Sequence, residues 1–184
     1  MDFKKIFYAQ GVFYELGRGL VIFILAIVLV HYFIATIHVV QGESMEPNFH
    51  TGEIIVTNKL SYLTSKPERG DAVVLSFPGD PDKQKYIKRI IGLPGETLEI
   101  KNGKVYINNK ELVESYIAKN VTTAPNMKVT IPEDEYFIMG DNRPNSNDSR
   151  YWGTARVNDL IGKGVFIISP LSNWGYLAPA YYNI

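Results

Sequence analysis

The sequence predicts a mainly β protein carried on one N-terminal membrane-spanning helix. Three observations lead there. No Asp, Glu, Lys or Arg occurs from Leu20 to Val40, and an uncharged apolar run of about 20 residues suffices for a helix to cross a hydrocarbon core. Beyond it, short β-branched and aromatic runs are bounded by turn residues. Between two such runs stands Asn102-Gly103, a pair that accepts the positive φ of a tight hairpin turn.

Taken in order, residues 1–18 mix Lys4, Lys5 and Arg18 with Phe3, Phe7, Tyr8, Phe13 and Tyr14, the composition of a segment lying at headgroup level. The membrane helix is expected over 19–40. A cleaved signal peptide would have a shorter apolar stretch and a small-x-small site. Ile34-Ala35-Thr36-Ile37-His38 offers no such site, which favours an uncleaved single span. His31 and His38 share a face of that helix. They are either tolerated neutral side chains or the mark of a proton path or helix contact. Basic residues precede the span and none lies between it and Lys59, so the positive-inside rule puts the N-terminus in the cytoplasm and residues 41–184 outside.

In the exterior part, strands are expected at 53–57, 72–77, 86–91, 97–100, 105–107, 136–139 and 164–168. Asn108-Asn109 makes a second turn. Residues 114–130, with Asn120, Thr122, Thr123, Pro125 and Asn126, are expected to form an irregular polar loop. The aromatic, nearly uncharged stretch from Trp174 to Tyr182 has two readings, resting on the bilayer or packing on the β core.

Composition excludes several classes of function. The 184 residues carry 19 Lys+Arg and 19 Asp+Glu, so there is no basic footprint for nucleic acid. The chain has no cysteine, which removes thiol nucleophiles, disulfides and thiolate zinc sites together. With only His31, His38 and His50, a multi-histidine metal site is not expected.

Three stretches could carry chemistry. The first is Gly42-Glu43-Ser44-Met45-Glu46-Pro47-Asn48, just past the apolar run. Gly42 frees the backbone before Ser44 and Pro47 fixes the turn after it. Ser44 is a nucleophile or ordinary loop chemistry. The second is Lys85-Tyr86-Ile87-Lys88-Arg89-Ile90-Ile91. On a strand Lys88 shares a face with Tyr86 and Ile90. Burial there disfavours the ammonium and makes a neutral amine available as a base; exposure would leave a solvated lysine. Arg89 faces the other way and stays protonated. The third is Gly140 to Arg150, a dense polar loop after a strand. Its carboxylates lack the spacing of an EF-hand calcium loop; an ordered network of hydrogen bonds and ion pairs is the better reading. A Ser-His pair would have to use His50, the one histidine clearly beyond the lipid, whereas a Ser-Lys pair needs none.

These stretches resemble the type I signal peptidases, membrane-bound Ser-Lys endopeptidases that remove signal peptides from exported proteins. The matches fall in that family's order: Gly42 to Pro47, Arg69-Gly70-Asp71-Ala72-Val73-Val74, Tyr86 to Glu96, and Gly140 to Arg150. They cover the exterior part nearly end to end.

The resemblance implies that Ser44 is the nucleophile and Lys88 the general base. It implies that Ser146 orients the lysine amine, that Asp148 and Arg150 form a supporting ion pair, and that Asp141 and Asn142 structure the loop. Tyr86, Ile87, Met45 and Gly42 match positions at the substrate cleft. The implied fold is an antiparallel β protease domain of the type shared with self-cleaving repressors, with a small β insertion at about 97–135. The short insertion and single span look like the Gram-positive branch. No metal or organic cofactor is implied; the implied partners are signal peptides of exported preproteins and the lipid bilayer. The protein would act as a monomer near the export machinery. Two positions depart from the pattern. Some relatives carry serine where Gly42 stands, so that oxyanion donor is missing and the Ser44 N–H must serve. Asn48 replaces a common threonine, which puts local packing in question. The alternatives are a self-cleaving repressor, disfavoured by the apolar run, and a non-catalytic tethered β-domain that binds exported chains.

Overall fold

The computed structural model describes residues 3–82, 84–177, 180 and 182–184. Helix α1 runs Phe3–Leu29 and continues as one π-helical turn over Val30–Ile34. The stretch Gly11–Ile34 is long and apolar enough to cross a membrane. At 1.5 Å per residue it covers about 36 Å, slightly more than a hydrocarbon core of about 30 Å. The helix expected through residue 40 therefore stops short. Ala35–Val39 is strand β1, because its backbone pairs with Ile54–Asn58, strand β2. Apolar composition alone does not separate these outcomes; tertiary pairing decides between them.

A short helix α2, Ser61–Thr64, follows. Then come β3 (Ala72–Ser76), β4 (Lys85–Gly92), β5 (Thr97–Lys101), β6 (Lys104–Ile107), β7 (Lys110–Glu111), β8 (Met127–Thr130) and β9 (Glu135–Met139). After α3, Ser149–Trp152, the chain adds β10 (Ala155–Arg156), β11 (Leu160–Ser169) and β12 (Gly175–Tyr176). The strands form two antiparallel sheets. The larger has the order β1-β2-β11-β3-β4-β9-β10, with β12 paired to β11. The smaller is β7-β6-β5-β8, so part of the expected polar loop at 114–130 is a strand instead: β8 pairs with β5 through Met127, Lys128, Val129 and Thr130.

Burial follows sheet position. β5 alternates, with Leu98 and Ile100 inward, as a half-covered strand must. β3 and β4 are central and buried on both faces, which is why Val73, Val74, Leu75, Ile90 and Ile91 form nearly unbroken apolar runs. Asn102 and Gly103, like Asn108 and Asn109, have positive φ, so both hairpin turns are built as their residues dictate. Irregularities in the pairing of β11 with β2 and β3 bend the large sheet. The end of β1 and the start of β4, which are not sheet neighbours, thereby face each other across one cavity. The aromatic C-terminal stretch divides. Trp174 and Tyr176 are exposed, Leu177 and Tyr182 pack on the core, and Ala178, Pro179 and Tyr181 lie outside the described residues.

Candidate active site

The turn bearing Ser44 is anchored from below. Met45 and Phe49 are almost fully buried, each worth about 1.5–3 kcal/mol of apolar burial. Backbone bonds from the Asn48 and Phe49 N–H groups to the Met45 carbonyl close the turn. Gly42 enters it at φ +82°, a conformation most side chains avoid. Ser44 is left partly exposed at the top of the turn. Its N–H donates to no acceptor among the described residues.

Lys88 reaches this turn from β4. Its side chain is 2 % exposed, and Nζ lies 2.6 Å from Ser44 Oγ. Nζ also donates to the Ile87 carbonyl, at 3.1 Å. Burial pushes the Lys88 ammonium down to about 8, with Arg150 adding to the effect against the opposing pull of Asp148 and Asp141. An amine with that pKa is about a tenth neutral at pH 7 and accepts a proton readily. A hydroxyl held against such an amine is an activated nucleophile.

The loop after β9 locks both groups in place. Asn142 donates its backbone N–H to the Ser44 carbonyl at 3.0 Å and its side-chain amide to the Glu43 carbonyl at 3.0 Å. A Cβ on Gly140 would collide with the Ser44 carbonyl and with Ser146, so glycine alone permits this approach. Asp141 takes a bidentate pair from Arg89, at 2.8 and 2.6 Å. Asp148 takes another from Arg150, at 2.7 and 2.8 Å, and accepts the Gly140 N–H at 2.9 Å. Both pairs are buried and oriented by further bonds, from Arg89 to the Gly70 carbonyl and from Arg150 to the Ala124 and Ser146 carbonyls. Bidentate geometry of this kind fixes backbone direction as well as charge.

Most of the residues singled out in the sequence converge here. Ser44, Lys88, Tyr86 and Ile87 line one cavity of about 70 Å³. Gly42, with Ser44, Tyr86 and Lys88, lines an open depression on the other side of the nucleophile. Two residues differ from expectation. Met45, expected at the substrate cleft, lines neither cavity; the turn points it into the core. Ser146, expected to orient the lysine amine, makes no hydrogen bond to it; Nζ bonds Ser44 and Ile87 instead. The Ser146 hydroxyl is buried and unpartnered among the described residues, and its carbonyl, not its side chain, holds Arg150.

Sequence reasoning missed three contributors. Arg89, set aside as a base, is the partner of Asp141; its place on the face of β4 opposite Lys88, with an acidic loop to satisfy, was the available signal. Arg143 is fully buried, paired with Glu114 and bonded to Thr123 Oγ1 at 2.8 Å, which ties the smaller sheet's connections to the loop. Asn48 bridges the Tyr116 carbonyl and Asp141, at 2.8 and 2.9 Å. The unusual asparagine therefore has a packing role.

Comparison with known proteins sets this geometry in a family. The family described as signal peptidase, peptidase S26, matches residues 13–169. The chain belongs to that family. It is 36 % identical over 177 residues to a signal peptidase I of Bacillus amyloliquefaciens, covering 91 % of both chains. It is also 36 % identical to a probable signal peptidase I-2 of Synechocystis, covering 95 % of this chain and 81 % of that one. A crystal structure of a signal peptidase I from Enterococcus faecalis is 36 % identical, covers 54 % of this chain and 97 % of that one, and aligns with a TM-score of 0.48. The family match spans the Ser44 turn, β4 and the loop at 140–150, the elements that the Ser44–Lys88 geometry brings together.

Proposed function

We propose that this chain is a membrane-anchored serine endopeptidase that removes signal peptides from exported preproteins, with Ser44 as nucleophile and Lys88 as general base. The observation that carries this reading is a buried lysine amine 2.6 Å from a serine hydroxyl, with burial holding its pKa near 8. The substrate adds as an extended strand along the cavity beside β1 and β4, a common mode of peptide capture. Small side chains, alanine above all, are taken at the first and third positions before the cut, as the resemblance to the family implies.

Chemistry then uses this chain's groups and water. The Ser44 hydroxyl donates to neutral Lys88 Nζ and gives up its proton as Oγ attacks the scissile carbonyl. The Ser44 N–H, free of any acceptor among the described residues, stabilises the oxyanion, a contribution often worth about 3 kcal/mol. The resulting ammonium returns its proton to the departing amine nitrogen as the peptide bond breaks. Lys88, neutral again, takes a proton from the water that attacks the ester carbonyl, and gives it to Ser44 Oγ as the ester bond breaks and the signal peptide leaves as a carboxylate. Asp141–Arg89, Asp148–Arg150 and Asn142 position the loop, and Ser146 supports it through its carbonyl. The N-terminus lies in the cytoplasm and the β-domain outside, and the enzyme works as a monomer near the export machinery; Lys4, Lys5 and Arg18 before the span support that orientation.

The deciding experiment is cleavage of a defined preprotein by the full-length protein and by Ser44→Ala and Lys88→Ala. Both variants are expected to fold and to lose cleavage at least a thousandfold, and only the parent is expected to be labelled at Ser44 by an acylating serine inhibitor. Cleavage at the parent rate by a folded Lys88→Ala protein would rule out the dyad.

A further inference from the structure

Two hollows meet at Ser44 and Lys88. The tighter one is lined by residues 38–41, at and just past the end of β1, and only a π-helical turn separates β1 from the apolar helix. The other is an open depression of about 510 Å³, which takes in Gln41, Glu43, Thr51, Asn145 and Asn147 besides the reacting pair. Under the proposed function the signal peptide is still held in the bilayer when it is cut. The residues before the cut therefore lie on the anchor side, in the tight cavity. The chain after the cut crosses Ser44 and leaves through the open depression, which alone has room for an exported protein to follow.

The depression is polar, and its charge is one-sided. Besides Lys88, Glu43 is the one charged side chain among its lining residues. When Lys88 is neutral, as the chemistry requires, Glu43 alone carries charge there. Its side chain is exposed and forms no ion pair among the described residues. It is nevertheless aimed. Glu43 Oε2 accepts from Asn145 Nδ2 at 3.3 Å, and the Glu43 carbonyl accepts from Asn142 Nδ2 at 3.0 Å. Both donors belong to the loop that holds the Ser44 turn. Oε1 accepts no hydrogen bond among the described residues.

We propose that Glu43 is a specificity-determining residue for the chain after the cut. Its carboxylate favours a lysine or arginine, and disfavours an aspartate or glutamate, at one of the first two positions beyond the scissile bond. The inference rests on Ser44 and Lys88 being the cleavage pair. Reach sets the positions. Glu43 adjoins the nucleophile, with about 3.8 Å between consecutive Cα atoms, and two residues of extended chain cover about 7 Å. Successive side chains of an extended chain point to opposite faces, so one of those two faces the carboxylate. Opposite unit charges about 6 Å apart near a protein surface attract enough to change a rate several-fold, and like charges repel by as much. Salt screens an exposed pair, which gives this preference a signature that packing lacks.

The test uses the full-length protein in nonionic detergent and two sets of preproteins, one varied at the first position after the cut and one at the second. Each set carries Lys, Gln or Glu there and is otherwise identical, with kcat/KM as the readout. In one set the parent is expected to rank Lys above Gln above Glu, with a Lys-to-Glu ratio of about tenfold at low salt. Raising the salt to about 0.5 M is expected to shrink that ratio to about threefold or less. Glu43→Gln, which keeps the size and the amide-to-oxygen contact with Asn145, is expected to bring the ratio close to one, and Glu43→Lys to invert it. A ratio near one for the parent in both sets overturns the inference. So does a ratio unmoved by Glu43→Gln, even if that variant is slower on every substrate, because an equal loss is what a merely structural glutamate gives. If the parent cleaves none of the six, the cleavage assignment itself fails, and the inference falls with it.

Discussion

Lys88 shows how much one buried amine asks of its surroundings. Its ordinary pKa of 10.5 falls to about 8 in the fold. Above about 8 the folded state holds a neutral amine, so proteolytic activity rises with pH through an inflection near 8 and falls away on the acid side. A pH profile of kcat/KM on a preprotein checks this; a flat rate down to pH 5 in a stable enzyme contradicts a lysine base. The same shift has a consequence for stability, with the following sign. Between about 8 and 10.5 the unfolded chain binds the proton and the folded chain does not, so stability grows with pH across that window. Below 8 both states are charged and the fold carries the full cost, about 3 kcal/mol. Lys88→Met, of similar length and apolar, is therefore expected to be inactive yet more stable at pH 7, read as a higher urea midpoint. A lower midpoint would mean that the contacts of the ammonium outweigh its desolvation.

Among elements, the informative one is the loop from Gly140 to Arg150, which is held from three directions. The Ser44 turn binds it through Asn142. Strand β4 binds it through Arg89 and Asp141. The connection between β7 and β8 binds it through Glu114 and Thr123 to Arg143, with the Tyr116 hydroxyl joining the pair. The smaller sheet thus does more than decorate the larger one; its connections brace the loop that holds the Ser44 turn. Removing one member of a buried ion pair leaves an uncompensated charge, at a cost of about 3–5 kcal/mol. Glu114→Ala is accordingly expected to lower stability by about 3 kcal/mol in urea unfolding. In the fraction that stays folded, kcat should fall more than KM rises, because Glu114 lines neither cavity at the nucleophile. A rise in KM with kcat intact would place Glu114 at the substrate instead.

For the whole molecule, the link between anchor and site is short. The apolar helix passes through a π-helical turn straight into β1, and His38 and Val40 of the next few residues already line the cavity beside Ser44. Under the proposed function, this short link lets a substrate still embedded in the bilayer meet Ser44 without leaving the lipid surface. In right-side-out vesicles a protease added outside is expected to degrade the β-domain while an epitope on the N-terminus survives until detergent is added. Protection of the β-domain in intact vesicles would reverse the orientation. Fold class was legible because its signals are local: an uncharged run, β-branched runs, and the turns at Asn102-Gly103 and Asn108-Asn109. Strands β1 and β8 escaped notice for a physical reason. β1 is chemically indistinguishable from the helix before it, and β8 is a short polar-edged segment that becomes a strand only by pairing with β5.

The sequence by itself determined the chemistry on offer. It set one serine in a turn beyond a membrane span, one lysine on an apolar strand, no cysteine and few histidines, and these follow from residue identity and spacing. The tertiary structure decided what those groups face. It put Lys88 Nζ against Ser44 Oγ, turned Met45 into the core, left Ser146 without the lysine, and paired Arg89 and Arg143 with carboxylates far away in the chain. Such pairings depend on how a bent sheet brings distant strands together, and no local pattern encodes that.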